Sequence, residues 1–154
     1  NNIMSFHIVL YQPEIPANTG NIGRLCVGTN SVLHIIKPMK FMITDKYLKR
    51  AGLDYWDKLH VKFYNSWDDF LAENEDKNLL FFTTKANKIY SKIDFKDGDF
   101  LIFGPETRGL PENILNKYWK NAFTIPMSKN IRSINLGNSV AIVLYEAIRQ
   151  TAFY

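Results

Sequence analysis

Three stretches of this chain set polar side chains capable of chemistry beside glycines. The first, Asn18-Thr19-Gly20-Asn21-Ile22-Gly23-Arg24, follows an apolar run and leads toward a helix. Its glycines permit close backbone approach, and a helix N-terminus at this place favours an anion. Such an entry is also common as a plain capped start, with Asn18 or Asn21 as cap and Arg24 solvated, so alone it carries little weight. The second, Phe103-Gly104-Pro105-Glu106-Thr107-Arg108-Gly109-Leu110-Pro111, holds Glu106 and Arg108 between two glycines. A turn followed by a helix with proline at its first position explains Gly109 and Pro111, but not the charged pair. The third runs from Ile125 to Ser139 and interleaves Arg132, Ser133 and Asn135 with apolar residues. Asn138 or Ser139 as a helix cap accounts for its last two residues only, and a long structured connection in a compact domain is more often functional than idle.

Nothing else in the chain competes with these loops. Cys26 is the only cysteine, which excludes an internal disulfide and a cysteine-based zinc site. His7, His34 and His60 are far apart, without partners at metal-ligand spacing, and read as structural histidines. No metal is expected. There is no Ser-His-Asp order, no Walker loop and no dinucleotide fingerprint. Of the five arginines, Arg24, Arg108 and Arg132 fall in loops rich in Gly, Asn or Pro. Arginine offers a planar fork matched to phosphate oxygens, which lysine does not.

The elements that must position these loops alternate along the chain. Phe6 to Tyr11, ended by Gln12-Pro13, predicts a first strand, and PEIPANTGN after it reads as a loop. Ile22, Leu25, Cys26 and Thr29 recur at helical spacing and predict a short helix. Val32 to Ile36 and Val61 to Tyr64 predict two more strands, with a short helix around Asp45 to Ala51 between them. Ser66 is a strong N-cap for WDDFLAEN, whose acidic residues complement the helix dipole, and that helix ends near Asn74. Leu79 to Thr83, Phe100 to Phe103 and Ala122 to Ile125 predict further strands, and Asn138 to Thr151 a last helix. The pattern implies an α/β fold with a mostly parallel sheet of about six strands and helices on both faces. Ligands of such sheets sit beyond the carboxyl ends of the strands, where all three loops fall.

A length of 154 residues suits a single domain, with residues 1–5 a flexible or appended lead-in and Met4 a candidate start. Hydrophobic residues make up 46%, too many for disorder. The longest apolar run, Val140 to Tyr145, is far short of the roughly 20 residues of a membrane span, so a cytoplasmic protein is expected. Nineteen basic against fifteen acidic residues leave a net charge of +4, a mild excess compatible with nucleic acid. The same run is apolar on every side of the last helix. One side can pack on the sheet and another calls for a partner, so Val140, Val143, Leu144 and Tyr145 are expected at a two-fold dimer interface.

The three stretches, in this order, resemble the signature motifs of the SPOUT class of RNA methyltransferases, SpoU type: NTGNIGR the first, FGPETRGLP the second, and IPM with SINLGNSVAIVLYE the third. The opening LYQPEIPANTGN is similar to the TrmL-type branch, which methylates the ribose 2′-hydroxyl of the tRNA wobble nucleotide, a cytidine or a modified uridine. The resemblance implies a C-terminal trefoil knot, bound S-adenosyl-L-methionine, and a homodimer that itself holds the tRNA anticodon stem-loop, because no RNA-binding domain precedes Phe6. It implies a cofactor pocket of Phe82, Thr83, Thr84, Gly104, Glu106, Ile125, Met127, Ser133 and Leu136, with Gly104 leaving space that a side chain would take from the ligand. It assigns catalysis to Arg24 with Glu106, Ser133 and Asn135, and RNA contacts to Asn18, Asn21, Arg24, Arg108 and Arg132. A guanidinium pKa above about 12 makes Arg24 a poor base, and holding phosphate and developing charge on the 2′-oxygen suits it better. Gly137 stands where many relatives have Ser. A noncatalytic knotted RNA-binding domain and a 2′-O-methyltransferase of ribosomal RNA are the competing readings.

Overall fold

The computed structural model describes residues 5–44 and 54–151. The helix expected over Asp45 to Ala51, like residues 1–4 of the lead-in, lies outside the described residues. Six strands form one sheet: β1 (His7–Tyr11), β2 (Val32–Ile36), β3 (Val61–Tyr64), β4 (Leu79–Phe82), β5 (Phe100–Phe103) and β6 (Ala122–Phe123). Their order is β3-β2-β1-β5-β4-β6, and every neighbouring pair is parallel. The chain fills one half of the sheet from β1 outward to β3. It then crosses to β4, returns inward to β5 and passes over β4 to β6.

Among the described residues, four α-helices cover the sheet: α1 (Pro16–Gly28), α2 (Trp67–Asn74), α3 (Glu112–Lys117) and α4 (Leu136–Thr151). Alternation along β1 sorts the core. Ile8 and Leu10 pack with Ile22 and Cys26 of α1 and with Val143 and Leu144 of α4. Val9 points the other way, toward Phe70 of α2 and Ile114 and Leu115 of α3. The α/β fold with helices on both faces is thus as the sequence implies. Ser66 caps α2 as expected, accepting from the Asp69 N–H at 3.1 Å.

Two expectations are corrected here. The stretch PANTGN is not a loop but the first half of α1, with Pro16 in its first turn. On α4, Val140, Val143 and Leu144 are wholly buried by their own chain, together with Ala147 and Ile148. That i, i+3, i+4, i+7, i+8 spacing faces the sheet and α1, so these three cannot form an interface. The outer face instead carries Ile142 and Tyr145, the latter 51% exposed.

Of the three histidines, His7 and His34 are structural, while His60 is exposed. His7 and His34 hydrogen-bond Nδ1 to Nε2 at 2.8 Å, and His34 Nδ1 meets the Tyr64 hydroxyl at 2.8 Å. Asn74 donates to the same hydroxyl at 3.3 Å, closing a polar chain inside the α2 side of the core. Burial, reinforced by the neighbouring His7, pushes the His34 pKa down from 6.5 to about 3. An unfolded chain therefore takes up a proton below pH 6.5 that the folded chain refuses. Stability is fully present above pH 6.5, falls as pH drops toward 3, and loses on the order of 4 kcal/mol across that window from this group. Urea midpoints measured from pH 7.5 to 4 should fall steadily. A midpoint that does not move would show that His34 protonates freely in the folded protein.

Candidate functional site

The loops after β4, β5 and β6 meet the start of α1 and the 132–136 segment around a cleft of about 560 Å³ at the carboxyl ends of the strands. This is where an open parallel sheet places its ligand site. Phe82, Thr83 and Thr84 come from the β4 exit, Gly104 and Glu106 from the β5 exit, Ile125 from the β6 exit, and Ser133 and Leu136 from the approach to α4. Eight of the nine residues expected around a cofactor therefore line one cleft. Met127 does not. It sits half-buried two residues past Ile125, where the chain has already left the wall.

Two carboxylates assemble the cleft by reaching across it in opposite directions. Glu106 accepts from the backbone N–H of Glu14 and of Ile15, both at 2.8 Å, and from Asn18 Nδ2 at 3.1 Å. It thereby caps α1, whose own N-cap residue Ile15 offers no side-chain acceptor. Glu14 answers from the other side, accepting from the Thr107 N–H at 2.9 Å and the Thr107 hydroxyl at 2.7 Å. Arg108 Nε adds a contact to Glu14 at 3.3 Å, and Lys40 lies 3.8 Å away. The Thr107 hydrogen bonds hold the Glu14 carboxyl below the ordinary carboxylate range. Asn18 passes the connection on, because its Oδ1 accepts from Asn135 Nδ2 at 3.1 Å. Asn135 Oδ1 in turn accepts from the Asn138 N–H at 3.1 Å, so Asn135 caps α4, and neither Asn138 nor Ser139 does.

These contacts revise several roles. Glu106 and Asn135, expected among the catalytic residues, hold the three motif segments in register through these contacts. Asn18, expected to touch RNA, lines the cleft but is 6% exposed with both ends of its amide engaged. Ser133, Arg108 and Arg132 remain exposed on the cleft wall. Asn21 and Arg24 are exposed on α1 but outside the cleft, with the Arg24 guanidinium 6.0 Å from the Tyr55 ring centre. Gly23 of the first motif serves packing, because a Cβ on it would lie 3.0 Å from the Trp56 ring, and the Tyr55 hydroxyl donates to the Gly20 carbonyl nearby. A Cβ on Gly137 would come 3.1 Å from Asn135 Oδ1, so a side chain there would crowd the cap.

Gly104 is required for a different reason than ligand space. A Cβ built on it would sit 2.5 Å from the Leu110 nitrogen and 2.6 Å from the Gly109 carbonyl carbon, inside the folded-back loop itself. Gly109 adds a left-handed φ of +70° at the other end of that loop. Gly104→Ala is expected to cost about 2 kcal/mol of stability and to weaken ligand binding at the same time, because backbone cannot step aside. Differential scanning fluorimetry with calorimetric titration checks it. Loss of ligand affinity with an unchanged Tm would restore the ligand-space explanation.

Residues 5–145 match the SpoU rRNA Methylase family. The chain belongs to that family. The tRNA (cytidine(34)-2′-O)-methyltransferase of Escherichia coli strain K12 is 48% identical over 148 residues, covering 96% of this chain and 94% of its own. A solved structure described as giving insight into 2-OH methylation of C/U34 on tRNA is 39% identical, with a TM-score of 0.90 and 97% of each chain covered. The SpoU methyltransferase AviRb of Streptomyces viridochromogenes, in complex with AdoMet, shares the fold at 22% identity and a TM-score of 0.82, over 97% of this chain and 59% of that one. Within this SpoU-family chain, sequence reasoning misses the contacts of Glu14 with Thr107 and Arg108 and of Gln12 with Arg108. Both lie in the opening LYQPEIPANTGN, whose likeness to one branch of the family gives neither residue a partner.

Proposed function

We propose that this chain uses S-adenosyl-L-methionine to methylate the ribose 2′-hydroxyl of nucleotide 34, the wobble position, in tRNA. The observation that carries the reading is the meeting of all three SpoU motif loops at one cleft. Its character fits the cofactor: Phe82, Leu110, Ile125 and Leu136 give apolar walls for an adenosine, with Thr83, Thr84 and backbone amides as polar partners. The bound cofactor supplies an activated methyl on a sulfonium. The chain's own task is alignment and electrostatics, since in-line displacement depends on positioning. Lys85, Arg108 and Arg132 on the cleft wall give a cationic mouth for the RNA backbone. Arg24 is read as holding the target phosphate and the developing charge on the 2′-oxygen.

Because Arg24 lies outside its own chain's cleft, this reading places it at the cleft of a second copy. The homodimer it requires would use the outer face of α4, where Ile142 and Tyr145 are exposed. A trefoil knot of the C-terminal segment and recognition of the anticodon stem-loop belong to the same reading, as does a cytoplasmic location. No helix among the described residues is long and apolar enough to cross a membrane. Nucleoside mass spectrometry of tRNA incubated with the protein and labelled S-adenosyl-L-methionine tests the reaction. Label confined to 2′-O-methylcytidine or 2′-O-methyluridine at position 34 is the expected result, and label on a base, or none, overturns it.

A further inference from the structure

Arg108 is aimed by two residues, Gln12 and Glu14, that belong neither to the cleft wall nor to the three signature motifs. Its Nε donates to Glu14 Oε2 at 3.3 Å and one terminal nitrogen donates to Gln12 Oε1 at 3.2 Å. The guanidinium is thus held along one edge while its side chain stays 55% exposed at the cleft mouth. Gln12 reaches this place from an unusual backbone: its φ is +48°, left-handed for a residue other than glycine. Its N–H donates to the Ile36 carbonyl at 2.8 Å, which extends the β1–β2 ladder by one more bond and fixes the turn. A strained non-glycine conformation kept beside a functional cleft points to a purpose for the side chain.

From this geometry we infer that Gln12 and Glu14 are positioning residues that orient Arg108 to take an RNA phosphate at the cleft mouth. The inference rests on the proposed tRNA substrate and deepens it. An arginine that must find its own rotamer loses conformational entropy on binding, whereas one braced along one edge presents the rest of its fork ready-made. Among the described residues, Glu14 is the one negative charge paired with this guanidinium and is shared with Lys40 at 3.8 Å, so the group of three keeps a net positive charge, and neutral Gln12 takes none of it away. The oxyanion that Arg108 meets could also be the cofactor's carboxylate. Its exposure at the mouth favours the RNA.

The test is a double-mutant cycle read by tRNA binding and by S-adenosylhomocysteine binding. Gln12→Gly removes the acceptor and suits the left-handed backbone, so the fold should survive. It should weaken tRNA binding about threefold to fivefold, Arg108→Ala about tenfold, and the salt slope of Arg108→Ala should fall by about one unit. Combined with Arg108→Ala, Gln12→Gly should have no further effect, since it acts through that residue alone. S-adenosylhomocysteine affinity should stay within about twofold in all variants. Equal loss of S-adenosylhomocysteine affinity would assign Arg108 to the cofactor and overturn the inference, and so would additive effects in the double variant or wild-type tRNA affinity in Gln12→Gly. Wild-type protein that binds no tRNA would overturn the substrate assignment as well. A wild-type protein that binds and methylates tRNA beside an unaffected Gln12→Gly would overturn only the positioning role.

Discussion

Glu106→Ala is expected to loosen the whole cleft and to lower stability by about 3 kcal/mol, near 10 °C in Tm for a chain of this size. Three donors lose their acceptor at once: the backbone N–H groups of Glu14 and Ile15 and the amide of Asn18. The first turn of α1 has no other side-chain cap to fall back on. Asn18, released from Glu106, would no longer be held against Asn135, so the third motif loop would shift with the first. S-adenosylhomocysteine affinity should fall more than tenfold even at a temperature where the variant is folded. Glu106→Gln should do less damage, because one carbonyl oxygen still accepts while the new NH₂ faces a donor. Scanning fluorimetry and calorimetry on the three proteins decide it, and a Glu106→Ala variant with native Tm would mean that the clasp contributes nothing.

Arg24→Ala is expected to cut methyl transfer by more than a hundredfold, the scale of removing one electrostatic stabiliser from a reaction centre. Cofactor binding should be untouched, since Arg24 lies outside the cleft of its own chain. Arg24→Lys should rescue poorly for want of the fork. The shared-site reading makes a sharper demand. Arg24→Ala co-refolded in equal amounts with a cleft-blocked variant, Ile125→Arg, should regain about a quarter of wild-type activity, because half the two-fold dimers are mixed and each has one complete site. Two inactive proteins that stay inactive when mixed would place Arg24 in its own subunit's reaction, or in none.

Much of this fold is legible in the amino-acid sequence. Short β-branched and aromatic runs between turn residues mark the six strands, and Ser66 with its acidic first turn marks α2. Local chemistry suffices for each. The errors share a different cause. α1 begins at Pro16 rather than near Ile22 because its cap comes from Glu106, roughly ninety residues away, and no local signal announces a remote carboxylate. The glycines of the first motif look like a ligand loop, but Gly23 lets Trp56 lie close against a helix. Val140, Val143 and Leu144 read as a partner's contact because six consecutive apolar residues hide which face is inward. Only the packing of α4 on α1 and the sheet settles that. The cleft residues are legible through their motif likeness, whereas the bracing pair Gln12 and Glu14 gains meaning only once Arg108 and Thr107 stand beside it.

The reciprocal clasp also sets an order of events during synthesis. Both ends of α1's support lie late in the chain, at Glu106 and Asn135, and β1 gains its second neighbour only when β5 has been made. A nascent chain that has emerged as far as β3 can pair β1, β2 and β3 yet has no acceptor for the opening turn of α1. The wall of the ligand cleft is therefore complete only after the chain has been made as far as Ser139, inside the last helix. Cofactor binding by a nascent chain is expected only beyond that length.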